Sequence, residues 1–429
     1  MARHAEVVII GGGIAGAATA YYLAKAGMKP LLLEKGRIAG EQSSRAWGFV
    51  RQQGRDPDEV PLMIEANRIW QGLEAELEAD LEWVQGGNLS LAGSDADLAK
   101  HEAWMAVARD YQIRTRQLGP RELADLVPAM RGSWRGGLFT PSDGHAEPRK
   151  VTEALARKAK ALGAEIRAGC AAQRIELTNG AVSGVDTDQG PVRTDCIVCA
   201  GGAWTAQLVR PLGLDLPQIR VRASVTRTAP VKPACPAGTW SAGVAFRQHP
   251  DGSVNIAHGT LIDHDVTLES LRHVKLFLPN YRQNKERFLF RVGGPLARHG
   301  AGLIPGSAAR RDPFRSVWDD EPRHNDTILD EAVSNFAAMF PSLGQVRRAT
   351  SWAGLIDVTP DLLPVLGAID SPRGLIFATG FSGHGFAMGP IVGKLTAELI
   401  VKGRASLDLS AFRLSRFAEK DFAGPKSAF

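Results

Sequence analysis

Residues 6–34 read EVVIIGGGIAGAATAYYLAKAGMKPLLLE, and the fold follows from this stretch. Val7, Val8, Ile9 and Ile10 form an apolar run suited to a strand buried on both faces. It breaks into Gly11, Gly13 and Gly16, spaced G-x-G-x-x-G, and a small-residue helix follows through Ala17, Ala18 and Ala20 and ends near Gly27. A second apolar strand, Leu31, Leu32 and Leu33, delivers Glu34 at its tip. Gly11 makes the tight turn, Gly13 lets a pyrophosphate approach the backbone, and Gly16 permits close helix–sheet packing. The helix start offers unpaired N–H groups and a positive dipole end to phosphates. A carboxylate at the tip of the second strand accepts from ribose hydroxyls. Strand, glycines, helix, strand and acid together predict a dinucleotide site.

The chain has 429 residues, 44% hydrophobic and 23% charged, the range of a globular enzyme with two or three structural domains. The net charge of +5 is scattered. No Lys/Arg block alternates with aromatics as a nucleic-acid groove requires, and no nucleic-acid partner is expected. The densest basic group, Arg310, Arg311 and Arg315, reads as a solvated face or an anion-attracting rim. Residues 7–24 carry no charge, but their glycines and alanines make them only weakly apolar. A cytoplasmic protein is expected, with peripheral membrane contact as an open alternative. Cys196 and Cys199 form C-x-x-C within DCIVCAGG. There they read as buried thiols three apart in a strand, on opposite faces, and no metal site is expected.

Outward from the first motif, residues 40–48 form a polar loop, and Val60 to Ala79 a helix. Trp83 to Leu91 reads as a strand with a turn at Gly86 and Gly87. Charged amphipathic helices fill 95–130, strand and turn 136–145, and a further helix 149–162. Alternating strands lead to the buried strand 195–200. Residues 218–260 alternate like an antiparallel sheet, 267–291 read as a charged helical insertion, and 327–340 as a helix. The expected fold is α/β, α+β overall: a Rossmann-type nucleotide domain interleaved with a substrate domain built on an antiparallel sheet. The expected division is 1–85, 147–215 and 350–429 against 86–146 and 216–349, with a ligand cleft between.

Three later stretches carry a family likeness: DCIVCAGGAWT at 195–205, WAGLIDVTPDLLPVLG at 352–367 and IFATGFSGHGFAMGPIVGKLTAELI at 376–400. With the amino-terminal motif they resemble the D-amino-acid-oxidase-like flavoproteins. The similar branch holds monomeric sarcosine oxidase, glycine oxidase and the flavoprotein subunits of amino-acid and opine dehydrogenases. The resemblance implies FAD, held by Gly11, Gly13, Ile14, Ala15, Gly16, Glu34 and Lys35. It also implies Ser43, Ser44, Arg45, Trp47 and Gly48 from the polar loop, and Ala172, Ala200, Gly201 and Trp204 from mid-chain. Gly354 and the loop Gly380, Phe381, Ser382, Gly383, His384, Gly385 and Phe386 complete the set. A helix starting near Phe386 would aim its positive end at that loop, where a reduced flavin gathers negative charge.

Departures from the family pattern sharpen the expectation. Some relatives attach FAD through a cysteine at the place of Gly354, so FAD is expected to bind non-covalently. Arg51, in GFVRQQG, matches an arginine that holds the substrate carboxylate. Two other familiar anchors are replaced by Ala387 and Ile356. Asp357 is read either as a partner for a cationic substrate group or as a turn or cap before Pro360. Asn255 stands where some oxidases carry a lysine that speeds reaction with O2, which points to a dehydrogenase, and His258 lies close by. His384 is read as tuning the flavin, and Trp47 and Trp352 as pocket walls.

The expected chemistry is hydride removal from the carbon beside an amine of an amino acid or secondary amine. The imine would then hydrolyse, and electrons would pass to O2 or another acceptor. Alternatives are oxidation of a 2-hydroxy acid or alcohol by the same geometry, a flavoprotein subunit of a larger complex, and an NAD enzyme. A histidine base would mark the hydroxy-acid reading, and the insertion at 267–291 would serve the subunit reading.

Overall fold

The computed structural model of the chain describes residues 3–294, 296 and 321–425. Arg310, Arg311 and Arg315 lie outside the described residues. Val8–Ile10 is at the centre of a six-stranded sheet, between Leu31–Glu34 and Ile197–Cys199, both parallel to it. Glu165–Ala168 extends one side in parallel; Leu375–Thr379 and then the antiparallel Val365–Ala368 extend the other. The chain therefore leaves this sheet after its second strand and returns to it three times.

The strands read as continuous apolar runs because both faces are covered. Val7 and Ile9 join Leu32, Val198 and Ile376 in one core, while Val8 and Ile10 join Leu33, Ile197 and Phe377 in the other. Cys199 belongs to the second core and Cys196 packs against the first, the opposite-face placement that period-2 geometry requires. Burial pushes the Cys199 thiol up to about 12 and the Cys196 thiol to about 11, so neither is a reactive thiolate.

Helix Ile14–Lys25 lies against helix Gly385–Lys402. A side chain at Gly389 or Gly393 would press into Ile14 or Ala18, so these glycines set how closely the helices pack. Helix Val60–Leu77 joins them through Trp70, fully buried, whose Nε1 donates to the Ala387 carbonyl at 2.8 Å and whose ring meets Phe386 at 5.0 Å. This contact ties the middle of one helix to the first turn of another far along the chain.

A ten-stranded mixed sheet forms the other half of the molecule. Its longest pairing is antiparallel, Ile219–Thr228 along Arg348–Val358. The second of these strands was expected at the head of the last nucleotide segment. Instead its backbone is hydrogen-bonded into the large sheet. The insertion also differs: Leu268–Arg272 and Val274–Asn284 are helical, but Phe288–Arg291 is a strand parallel to Ile262–Asp265. Its FLFR sequence has the aromatic strand propensity that the surrounding charge obscured. No helix among the described residues is long and apolar enough to cross a membrane.

Candidate active site

A cleft with about 850 Å³ of open space lies at the carboxyl ends of Val8–Ile10, Leu31–Glu34 and Ile197–Cys199, where neighbouring strands lead the chain in opposite directions. Gly11, Gly13, Glu34, Lys35, Ser43, Ala172, Ala200, Gly201 and Trp204 line it as expected. Ile10, Leu33, Gln42, Gly202, Thr205 and Leu355 also line it, although none was singled out as a cofactor contact from the sequence. At Gly11 the backbone has φ +113°, and a Cβ would overlap the Ala200 carbonyl. At Gly16 a Cβ would overlap the Gly11 carbonyl, so this glycine serves packing and leaves the lining to others. Ser43 Oγ accepts from Ile14 N–H at 2.9 Å and closes the helix start on one side.

Glu34 is buried, and its two oxygens accept from Gly12 N–H at 2.6 Å and Gly36 N–H at 2.7 Å. Burial pushes its carboxyl up, against the pull of those two amides and of Lys35. A carboxylate has about four lone-pair positions, so two remain for ribose hydroxyls. Lys35 Nζ sits 4.6 Å from the centre of the Trp204 ring and 2.9 Å from Glu41, a cation at the cleft wall. Bare glycine backbone, a helix start, a lysine and a strand-tip acid are the donor set a dinucleotide needs, and the residues fit FAD.

Arg45, Trp47, Gly48, Gly354 and the loop 380–386 do not border this cleft. Ser44 and Arg45 belong to the short helix Gln42–Arg45, and the Arg45 carbonyl accepts from Trp352 Nε1 at 3.1 Å. The Trp47 carbonyl accepts from the fully buried Arg247, and a side chain on Gly48 would strike that guanidinium. Gly354 backs on to the Gln42 carboxamide and Arg45 Cβ, so a side chain there would have to displace Gln42.

Three expected catalytic groups have partners within the protein. Asp357 borders the cleft, and its Oδ2 accepts from Gly380 N–H at 2.8 Å and Gln218 Nε2 at 3.1 Å, so it braces the loop 380–386. His258 Nδ1 accepts from the N–H groups of Thr260 (3.0 Å) and Leu261 (2.9 Å), so its ring caps its own turn. The Asn255 carboxamide oxygen accepts from Arg227 Nε at 3.0 Å.

His384 is different. It precedes helix Gly385–Lys402, as Glu59 precedes Val60–Leu77, and its Nδ1 lies 3.0 Å from both Glu59 oxygens. A carboxylate only accepts, so Nδ1 carries the proton. Nε2 is buried and has no partner. Burial, then the Arg55 charge, hold the ring down at about 4 despite Glu59. It is therefore neutral at pH 7, with an open lone pair on Nε2.

The arginines stand nearby. Arg51 Nη1 donates to its neighbour's carbonyl, Gln53 O, at 2.7 Å. Arg55 is 4% exposed; its Nε donates to Arg51 O at 3.2 Å and its Nη1 meets no acceptor. Burial and the Arg51 charge bring Arg55 down to about 9. Arg287, between the second helix and the strand of the insertion, adds a third positive charge felt by Arg51. The segment is pinned from below. Asp143 accepts from Gln52 N–H at 3.0 Å and Gln53 N–H at 3.2 Å, while Gln53 Nε2 donates to Leu138 O and Thr140 Oγ1, both at 3.0 Å. The sequence reading missed Arg55, Glu59 and Arg287, and also the convergence of Glu82, Glu147 and His249. There, Arg227 and Arg247 both hold Glu147 at 2.9 Å and Lys150 holds Glu82 at 3.0 Å, which makes an ion-pair network.

A pH dependence follows. His384 is depressed from 6.5 to about 4, chiefly by burial. The unfolded chain therefore takes up the proton first, and the stability from the neutral ring is full above 6.5 and lost as pH falls toward 4. Urea unfolding at pH 7 and pH 5 should show wild type losing roughly 1–2 kcal/mol more than His384→Gln between the two. Equal losses would remove His384 from the acid response.

Comparison with known proteins agrees with this geometry. Human sarcosine dehydrogenase is 26% identical over 429 residues, covering 96% of this chain and 41% of that protein. Glycine oxidase of Bacillus subtilis is 26% identical, covering 97% of this chain and 98% of the enzyme. The L-amino acid deaminase of Proteus myxofaciens, solved with anthranilate, superposes with a TM-score of 0.90 at 28% identity, covering 97% of this chain and 94% of that one. The chain thus spans less than half the length of the mammalian sarcosine dehydrogenases it matches. Residues 6–399 match the DAO family of FAD dependent oxidoreductases, and the chain belongs to that family.

Proposed function

We propose that the protein oxidises the carbon next to the amine of an amino acid or secondary amine, with FAD held non-covalently. The observation that carries this reading is the buried Arg55 and the half-buried Arg51 beside the neutral, open-sided His384. Such a setting attracts a carboxylate and disfavours a second positive charge, so a substrate ammonium entering it is driven to its neutral form. The neutral nitrogen's lone pair then assists departure of the hydride from the adjacent carbon, and water hydrolyses the imine. Bound FAD supplies the hydride acceptor. The relatives named for sarcosine, glycine and L-amino acids share this kind of substrate.

In this reading Arg51 leaves Gln53 O and clamps the substrate carboxylate, fixing the reacting carbon. Trp47 and Trp352 wall the pocket. Arg51→Ala should raise KM for carboxylate-bearing amines roughly 100-fold, while flavin content stays as in wild type. Unchanged steady-state kinetics would take Arg51 out of the site. The reaction itself is tested by product analysis: one oxo product and one released amine or ammonia per substrate consumed are expected. Turnover of hydroxy acids with no turnover of amines would favour the alcohol reading.

Non-covalent attachment is supported by the crowding at Gly354 and by a cleft lining without cysteine. Acid precipitation should leave the yellow colour in the supernatant; colour in the pellet contradicts it. Electrons pass on to O2 or another acceptor. We place the protein in the cytoplasm. Exposed Leu271, Val274, Leu278, Phe290 and Val292 support a partner subunit or membrane surface at the insertion.

A further inference from the structure

Arg55 and His384 each carry a buried polar atom that has no partner among the described residues, and the two atoms have opposite hydrogen-bonding character. Arg55 Nη1 is a donor, on a side chain 4% exposed; His384 Nε2 is an acceptor, on a side chain 3% exposed. Buried polar atoms are almost always satisfied, so an orphaned donor and an orphaned acceptor in one site describe the ligand that completes them. The nearby carboxylates do not serve. Glu59 is held on His384 Nδ1 at 3.0 Å, and Asp143 is occupied by Gln52 and Gln53. Arg51 Nη1 donates to Gln53 O here and, on the reading above, turns to the same carboxylate as Arg55.

We propose, on the amine-oxidation reading, that Arg55 and His384 form a receptor for the two ends of an amino acid. Arg55 Nη1 donates to the carboxylate, and His384 Nε2 accepts an N–H of the amine. Glu59 is the positioning residue. Fully buried against the imidazole, it holds the proton on Nδ1 and so keeps Nε2 an acceptor. The frame is rigid, because Gln53 and Asp143 anchor the segment that carries Arg55, and Trp70 anchors the helix that Glu59 begins. Binding a carboxylate offsets the Arg55 charge beside His384, so the two ends of the substrate support one another. The receptor selects amines that carry both a carboxylate and at least one N–H.

The test uses the FAD-loaded enzyme with glycine, sarcosine, L-proline and L-phenylalanine and their methyl esters. Arg55→Met should raise KM at least 100-fold for the acids and less than threefold for the esters, with Arg55→Lys recovering part of the loss. Equal effects on acids and esters, or none, would overturn the assignment of Arg55. Independently of substrate, ¹⁵N-histidine NMR should show His384 protonated on Nδ1 in wild type and in Glu59→Gln, whose carbonyl still accepts. Glu59→Leu should lose that state. A wild-type ring protonated on Nε2, or no change in Glu59→Leu, would overturn the role of Glu59. If wild type turns over none of the acids, the amine reading fails and the receptor with it, while the NMR pattern still decides the Glu59–His384 pair.

Discussion

Gly16→Val is expected to yield a protein that purifies without flavin. A Cβ at Gly16 would overlap the Gly11 carbonyl, and Gly11 has no room to yield because it already lies against the Ala200 backbone at φ +113°. Overpacking of this kind costs about 1–3 kcal/mol where a core can adjust, and here backbone meets backbone on the floor of the cofactor cleft. The strain should displace helix Ile14–Lys25, whose first N–H groups face the pyrophosphate position. Flavin absorbance relative to protein absorbance should fall more than tenfold, with added FAD restoring little. A valine variant that retains its flavin would show that the helix can shift without harm, and the proposed cradle would be wrong.

The second large effect lies behind the flavin loop. Arg416, 1% exposed, forms a two-pronged pair with Asp361, at 2.8 Å through Nε and 3.1 Å through Nη2, and also donates to Leu363 O at 3.0 Å. Removing one partner of a buried pair leaves the other charged and unpaired, at a cost of about 3–5 kcal/mol. Arg416→Met should therefore lower the urea midpoint severely, and Arg416→Met with Asp361→Leu should recover much of the loss. The damage should reach the site, since Thr359 at the head of that turn donates its hydroxyl to Leu363 O and its amide N–H to Ser382 Oγ. A single variant as stable as wild type would mean that water reaches the pair.

What the sequence made legible was whatever is local. The glycine loop, its two strands and the following helix are encoded within 29 consecutive residues, and period-2 burial placed Cys196 and Cys199 on opposite faces. The fold class, the loop 380–386 and the position of His384 were readable for the same reason. The partner of His384 was not, because Glu59 lies 325 residues away and reaches it only through the packing of two helices. In RDPDEV, Arg55 and Glu59 look like a solvated turn before a helix; their burial depends on Trp70 and on strands far along the chain. Asp357 was legible as a candidate, but the amide it accepts from, Gly380, was not, because that residue comes from the neighbouring loop. His258 and Asn255 fall the same way: the residue type suits catalysis, and a nearby turn or arginine claims the atoms first.

The measurement that bears most directly on the function is an anaerobic absorbance titration of the purified, FAD-loaded protein with amino acids, secondary amines and hydroxy acids. One amine class should bleach the flavin band stoichiometrically, and readmitted air should restore it quickly if O2 is the acceptor and slowly if it is not. A yellow protein that every amine leaves unbleached, or that a hydroxy acid alone bleaches, would contradict amine oxidation as its activity.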